Sequence, residues 1–171
     1  MMRASQRPWL MLLIRSLLFV GFQALIALIF LFGRSPSAWN DSAAWWPIAV
    51  ILTNLVGLAL LIYFYEQDGK CFWNVFRIER QFIKPDLRFI LVFLLIAGPL
   101  GYLPNILSAH WLFGDPQIAL DLLVRPLPIW AALVSFAIFP LLQGLVEIPT
   151  YMLYALPRLE SQGVRPWLAV S

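Results

Sequence analysis

Hydrophobic residues along this chain gather into four long runs, which are separated by segments richer in charged residues, Gly and Pro. About 20 consecutive apolar residues are needed for an α-helix to cross roughly 30 Å of hydrocarbon. Each run reaches that length, so each predicts a membrane-spanning helix. The predicted spans cover residues 9–32, 44–65, 89–111 and 128–156.

Residues at the ends of the runs support this interpretation. Trp45 and Trp46 open the second run, and Tyr63 and Tyr65 close it, as expected of aromatic residues at membrane interfaces. Arg15 lies near the start of the first run, where its long side chain is expected to extend toward the head groups. A secretory signal peptide is the competing interpretation of the first run, but the apolar part is too long and no small-residue cleavage signal follows it.

The overall composition leads to the same class of protein. Hydrophobic residues make up 61% of the chain and charged residues 12%, whereas soluble domains carry about 25% charged residues. We therefore predict an all-α fold, a polytopic transmembrane helical bundle that forms a single integral membrane domain over residues 1–171. The lipid bilayer is its expected environment. No basic surface interleaved with aromatic residues predicts binding to nucleic acid.

Neither a metal nor a cofactor is predicted. The single Cys71 has no partner for an intrachain disulfide, and the chain shows no cysteine spacing typical of a metal site. His110 is the only histidine, and one histidine at a membrane edge is more often hydrogen-bonded locally than bound to haem iron.

Lys and Arg residues are distributed unevenly between the loops. The side that holds both ends of the chain carries nine of them and the opposite side two, which are Arg34 and Arg125. The positive-inside rule therefore predicts that both termini and the loop between the second and third spans are cytoplasmic. The nine are Arg3, Arg7, Lys70, Arg77, Arg80, Lys84, Arg88, Arg158 and Arg165.

The C-terminal residues repeat an earlier pattern. Residues 165–168 read Arg-Pro-Trp-Leu, as do residues 7–10 at the start of the first span. Proline in a first helical turn beside an interfacial Trp is typical of the start of a membrane helix. Residues 162–171 are thus either a short interfacial tail or the beginning of a further span of a longer protein.

Glu147 is the only carboxylate within the apolar run from Pro126 to Pro157. An acid in hydrocarbon is costly, so an intramembrane carboxylate is a candidate functional residue whose partner should be sought. No basic residue lies within one helical turn of Glu147 on the same helix, and we therefore expect a neutral carboxyl group packed inside the bundle. The alternative is an ionised carboxylate that is paired with a cation on another helix, for which Arg15 is the first candidate.

Polar side chains follow Glu147 at helical spacing, with Thr150 beside them. We expect this polar seam to face the bundle interior, and Pro149 and Pro140 to free backbone carbonyl groups near it. Elsewhere at membrane depth, Gln23, Asn54 and Asn105 are expected to bond to one another as amides between helices. The seam consists of Gln143, Glu147, Tyr151, Tyr154 and Arg158.

The sequence from Glu147 to Leu159, EIPTYMLYALPRL, resembles the first motif of the CAAX protease and bacteriocin-processing (CPBP) family of intramembrane endopeptidases. That motif is a Glu-Glu pair, three residues, an Arg, then Gly-Tyr and Leu-Pro-Arg-Leu. Alignment on Pro157 and Arg158 puts Glu147 at the first glutamate and Tyr154 at the tyrosine. The resemblance implies a bacterial inner (plasma) membrane location and a catalytic role for Glu147.

The motif departs from the family at two defining positions, because Ile148 occupies the second glutamate position and Met152 the arginine position. In the family the glutamate activates water together with histidines on later helices. No counterpart of those histidines follows Glu147 before Ser171. We therefore expect a CPBP-like membrane protein that is non-catalytic or incomplete.

Two alternatives remain open. The chain is an active intramembrane endopeptidase if a downstream region or a partner subunit completes the site on a peptide substrate. Otherwise it is a small membrane scaffold or transporter-associated subunit that binds a membrane-protein partner through packed helices. The third span fits such packing with Gly98, Gly101, Asn105 and Ser108, and its two prolines predict a broken or kinked helix.

Overall fold

The structure is a computed structural model that describes residues 4–76, 79, 81–118 and 125–164. Within these residues the α-helices are α1 (Arg7–Phe32), α2 (Ala38–Ser42), α3 (Trp46–Gln67), α4 (Ile83–Phe113), α5 (Ile129–Ile148) and α6 (Leu156–Ser161). A π-helix, Pro149–Ala155, joins α5 to α6, and 3-10 turns cover Ala4–Gln6, Ala43–Trp45 and Phe72–Val75. No strand occurs among these residues, which confirms the all-α prediction.

Four helical segments are long and apolar enough to cross a membrane, as predicted. They are Arg7–Phe32, Ala38–Gln67, Ile83–Phe113 and Ile129–Ser161. Each extends past one or both ends of the apolar run that predicted it, because polar and charged residues can continue a helix without counting toward an apolar run. Residues 162–171 were predicted to form either a short interfacial tail or the beginning of a further span, and residues 165–171 of this segment lie outside the described residues.

The chain divides into two compact units, Met1–Val75 with Leu127–Ser171, and Phe76–Pro126. In the first unit, α3 packs against both α1 and α5, and the π-helix packs against α1. Met11, Leu61 and Val146 are fully buried between these helices. At Gly57 a Cβ atom would lie 3.1 Å from Val146 Cγ1, so the absence of a side chain there lets α3 and α5 approach closely. Whether the chain forms a single domain stays a prediction.

The second unit contains α4. A broken or kinked helix was predicted from its glycines and prolines. The helix runs without interruption through Pro99 and Pro104, so the break is absent, and the kink stays a prediction. The helix ends at Gly114, whose φ of 74° is left-handed and whose N–H donates to the His110 carbonyl at 2.9 Å. Glycine adopts this conformation without the steric cost that a Cβ atom brings.

Candidate functional site

Pro149 changes the geometry of the fourth span. Proline has no N–H, so the carbonyl of Leu145 loses the hydrogen bond that an α-helix would give it. The chain continues as a π-helix over Pro149–Ala155, at the end of which the Leu156 N–H donates to the Tyr151 carbonyl. In a π-helix each N–H bonds to the carbonyl five residues back instead of four, so each turn contains about one residue more than an α-helical turn. Residues beyond Pro149 therefore leave the α-helical spacing, and the predicted polar seam divides into two clusters.

The first cluster, here called the intramembrane cluster, consists of Arg15, Asn54, Gln143, Glu147 and Tyr151. Arg15 Nη1 lies 3.7 Å from Glu147 Oε1, and Arg15 Nη2 donates to Asn54 Oδ1 at 3.1 Å. Asn54 Nδ2 donates to Gln143 Oε1 at 2.9 Å, and Gln143 Nε2 donates to Glu147 Oε2. These bonds form a ring of four side chains from α1, α3 and α5.

Arg15 does not extend to the head groups as predicted. It lies about 12 Å along α1 from Arg7, at roughly 1.5 Å per residue, and it is 9% exposed. Its guanidinium turns into the bundle because Asn54 accepts its hydrogen bond and Glu147 pairs with its charge there. Its Cζ atom also lies 5.3 Å from the Tyr151 ring centroid. The neutral carboxyl group was expected because no basic residue lies near Glu147 on its own helix. The structure places a basic residue, Arg15, beside it on another helix.

A groove of about 310 Å³ opens beside the intramembrane cluster. The two charged side chains lie at different depths in it, because the Glu147 side chain is 41% exposed and that of Arg15 is 10% exposed. The carboxylate therefore faces the open side of the groove. The groove is lined by Arg15, Ser16, Phe19, Val20, Val50, Thr53, Gln143, Glu147 and Tyr151.

The second cluster, here called the end clamp, lies at the start of α1 and the end of α3 and α6. Asp68 accepts hydrogen bonds from Arg7 Nη1 at 3.0 Å and from Arg158 Nη2. Arg158 Nη1 also donates to the Tyr154 carbonyl at 3.1 Å, and its Cζ atom lies 3.7 Å from the Tyr154 ring centroid. One carboxylate thus joins arginines from the first and the last helix at the same end of this bundle.

Aromatic rings fill the space beneath the end clamp. The fully buried Tyr154 stacks on Phe64 with centroids 6.0 Å apart, and its ring lies 5.5 Å from that of Tyr65. Arg7 Cζ lies 5.6 Å from the Phe64 centroid. Arginine on aromatic faces adds a cation–π attraction to the ion pairs. The contacts of this cluster join α1, α3 and α6.

Other predicted contacts are arranged differently. Gln23 and Asn54 do not bond to each other, since Gln23 donates to the Ser42 carbonyl at 2.9 Å and Asn54 donates to Gln143 at 2.9 Å. In the second unit, Asn105 donates to the Gly101 carbonyl of its own helix at 2.9 Å. Thr150 is fully buried, as expected for a residue beside the polar seam.

Asp68 is the residue that sequence reasoning missed. The charge count that predicted the topology used only Lys and Arg, so an acid at the end of the second span received no role. A signal was present, because Asp68 directly follows the second span, while Arg7 and Arg158 mark the predicted cytoplasmic ends of the first and fourth. An acid and two arginines predicted at the same membrane surface attract one another and are candidates for ion pairs.

No three His, Cys, Asp or Glu side chains within the described ranges are grouped so as to hold a metal ion. In comparisons with known proteins, no family model, no curated protein and no solved structure matches this chain. The resemblance to the CPBP motif therefore stays a prediction, which rests on Glu147 and the residues up to Leu159.

Proposed function

We propose that this chain is a CPBP-like integral membrane protein that binds a membrane partner and does not cleave it. The carrying observation is the position of Glu147, which is held by Arg15 on one oxygen and by Gln143 on the other. A general base must reach the proton that it abstracts. Here one oxygen of Glu147 accepts a hydrogen bond from Gln143 and the other lies 3.7 Å from Arg15, so the carboxylate is engaged by two side chains of the protein.

The residues around the groove supply a second argument against hydrolysis. An endopeptidase of this kind needs a base, a positioned water molecule and a donor that stabilises the developing oxyanion. No histidine lines the groove in the described part of the chain, and its one cation, Arg15, is bonded to Asn54 and Glu147. The groove thus resembles a recognition site more than a hydrolytic site.

Arg15 also bears on the departures from the family motif. In the family, an arginine one turn after the glutamate balances its charge, whereas this chain has Met152 there. Met152 is 52% exposed and Ile148 is 59% exposed, and neither lines the groove. We infer that Arg15 on α1 supplies the cation instead, which gives a neutral pair while the two departing motif positions, Ile148 and Met152, are apolar.

An endopeptidase completed by a further region or by a partner subunit is the second candidate. The observation that favours it is the exposure of Glu147, since a carboxylate that is 41% exposed on a groove remains within reach of a second protein.

The proposal also includes the bacterial inner membrane as the location, with the end clamp on the cytoplasmic side.

Cleavage assays separate the two candidates. Purified protein in lipid vesicles is incubated with prenylated and leader-type peptides, beside an active member of the CPBP family as a positive control. We expect product formation by the unmodified chain to equal that by Glu147→Ala. The matched control is Glu160→Ala, which removes an exposed carboxylate outside the groove. Cleavage that is lost only in Glu147→Ala would contradict the binding function and support the endopeptidase.

A further inference from the structure

We infer that the groove beside Glu147 is a docking site for a partner transmembrane helix that presents a neutral hydrogen-bond donor, the amide of Asn or Gln or the hydroxyl of Ser or Thr. This inference rests on the proposed binding function and specifies the chemistry of the partner. It follows from the depth of the two charged groups, from their net charge, and from the size and walls of the groove.

The exposed group in the groove is an acceptor. An ionised carboxylate offers about four acceptor positions and no donor. Gln143 donates to Oε2 of Glu147, and Arg15 Nη1 lies 3.7 Å from Oε1, beyond hydrogen-bond distance. Acceptor capacity therefore remains on this side chain, which is 41% exposed. Arg15, the donor of the pair, lies behind it at 10% exposure. A ligand in the groove therefore meets acceptors first and must supply donors.

Net charge restricts the donor to a neutral group. Arg15 and Glu147 together carry no net charge, so an entering Lys or Arg would leave one unbalanced positive charge at membrane depth. Such a charge is costly in hydrocarbon. Amide and hydroxyl side chains add a hydrogen bond without adding charge, and they are the groups that commonly join transmembrane helices.

The size and walls of the groove fit one side chain on an apolar helix. Pockets for small ligands range from about 300 to 1,000 Å³, so a groove of about 310 Å³ is at the small end of that range. Phe19, Val20 and Val50 supply an apolar part of the lining beside the polar cluster. One polar side chain can reach the carboxylate while the apolar surface of its helix packs on these residues.

Binding of model transmembrane peptides in vesicles tests the inference. Leucine-rich peptides of one length carry Asn, Leu or Lys at the central position, and resonance energy transfer is measured to a dye on Cys71, an exposed cysteine. We expect the Asn peptide to bind about fivefold more tightly than the Leu peptide. In Glu147→Leu the two peptides should bind equally. The double variant Arg15→Leu/Glu147→Leu should also bind them equally, and it leaves no unpaired charge that could unfold the bundle.

Controls distinguish this inference from the proposed function. Glu160→Gln should keep the fivefold preference, because Glu160 is outside the groove. Equal binding of Asn and Leu peptides, a preference for the Lys peptide, or competition only by a second copy of the protein would overturn the inference. Peptide mass is measured after each incubation. Cleavage that requires Glu147 contradicts the proposed function, whereas intact peptides bound without preference contradict only the inference.

Discussion

The guanidinium of Arg15 in α1 lies 3.7 Å from the carboxylate of Glu147 in α5 and joins the first and the last membrane-spanning segments. Either residue alone would bring a costly charge into hydrocarbon, roughly 2.5–3.5 kcal/mol on insertion scales. Together they carry no net charge. Asn54 accepts a hydrogen bond from Arg15, and Gln143 donates one to Glu147. The pair therefore accounts for two residues that are each unfavourable in their own apolar run.

Breaking this pair should destabilise the bundle. Loss of one partner from a buried ion pair costs about 3–5 kcal/mol, and the 41% exposure of the Glu147 side chain reduces that cost. We expect Glu147→Leu to lower the free energy of unfolding in detergent by about 1–2 kcal/mol. Arg15→Leu/Glu147→Leu should lose less than the sum of the single variants. Strict additivity would show that the two side chains do not interact.

The same geometry changes the expectation for Glu147→Gln. A neutral carboxyl group would tolerate this substitution with little loss of stability. Since Arg15 is a partner on another helix, we expect Glu147→Gln to lower the apparent melting temperature, while Glu160→Gln, at an exposed position of α6, leaves it unchanged. Equal melting temperatures for Glu147→Gln and the unmodified protein would favour the neutral carboxyl group.

The end clamp provides a second test of stability. Asp68→Asn leaves Arg7 and Arg158 facing each other without the carboxylate between them. Because hydrogen bonds to charged groups contribute roughly 1.5–3 kcal/mol, and these side chains are 16–24% exposed, we expect a loss of about 1–2 kcal/mol in thermal unfolding. Asp86→Asn, at an exposed carboxylate of α4, is the control. Similar losses in both variants would contradict a clamp.

Close packing of α3 on α5 can be tested at glycine positions. A Cβ atom at Gly57 would lie 3.1 Å from Val146 Cγ1, whereas none at Gly21 would meet an atom within 4 Å. We expect Gly57→Leu to force these helices apart and lower stability by about 1–3 kcal/mol. Gly21→Leu makes the same chemical change on an open helix surface and should be tolerated. A harmless Gly57→Leu would refute the close approach of α3 and α5.

The proposed orientation is tested by labelling single cysteines. Cys71 is exposed and follows the predicted cytoplasmic end of α3, so an impermeant maleimide should label it in inverted vesicles and not in intact cells. On a Cys71→Ser background, Ser37→Cys in the loop between α1 and α3 should show the opposite pattern. Labelling of both cysteines from the same side would contradict an odd number of membrane crossings between them.

The sequence predicted the helices well because an apolar run is a local property. Four runs indicated four spans, and except for Pro128 their residues lie within helical segments of the structure. The contacts of Arg15 and Asp68 could not be predicted in this way, since both depend on which helices become neighbours. Glu147 was identified from its own run, but its cationic partner is on α1.

The split of the polar seam has a local cause that α-helical spacing did not capture. The prediction of one polar seam assumed constant α-helical spacing from Gln143 to Arg158. Pro149 converts the next residues to a π-helix, which carries Tyr154 and Arg158 to the end clamp. A proline in a sequence indicates a disturbance of the helix, but not which of several responses the chain adopts.

Restoring the CPBP motif should not create an enzyme. The missing residues would be supplied by Ile148→Glu and Met152→Arg, but both positions are more than half exposed and neither lines the groove. Charged side chains there would face away from Glu147 and would be costly wherever lipid covers them, about 2.5–3.5 kcal/mol for an arginine at the centre of a span. We therefore expect the double variant to insert less efficiently, which protease accessibility in membranes measures.

Its cleavage of leader-type peptides should not exceed that of the same variant with Glu147→Ala. The matched control is Ile148→Gln/Met152→Gln, which adds polarity without charge. Cleavage by the restored motif that requires Glu147 would show that this chain already contains the remaining catalytic groups.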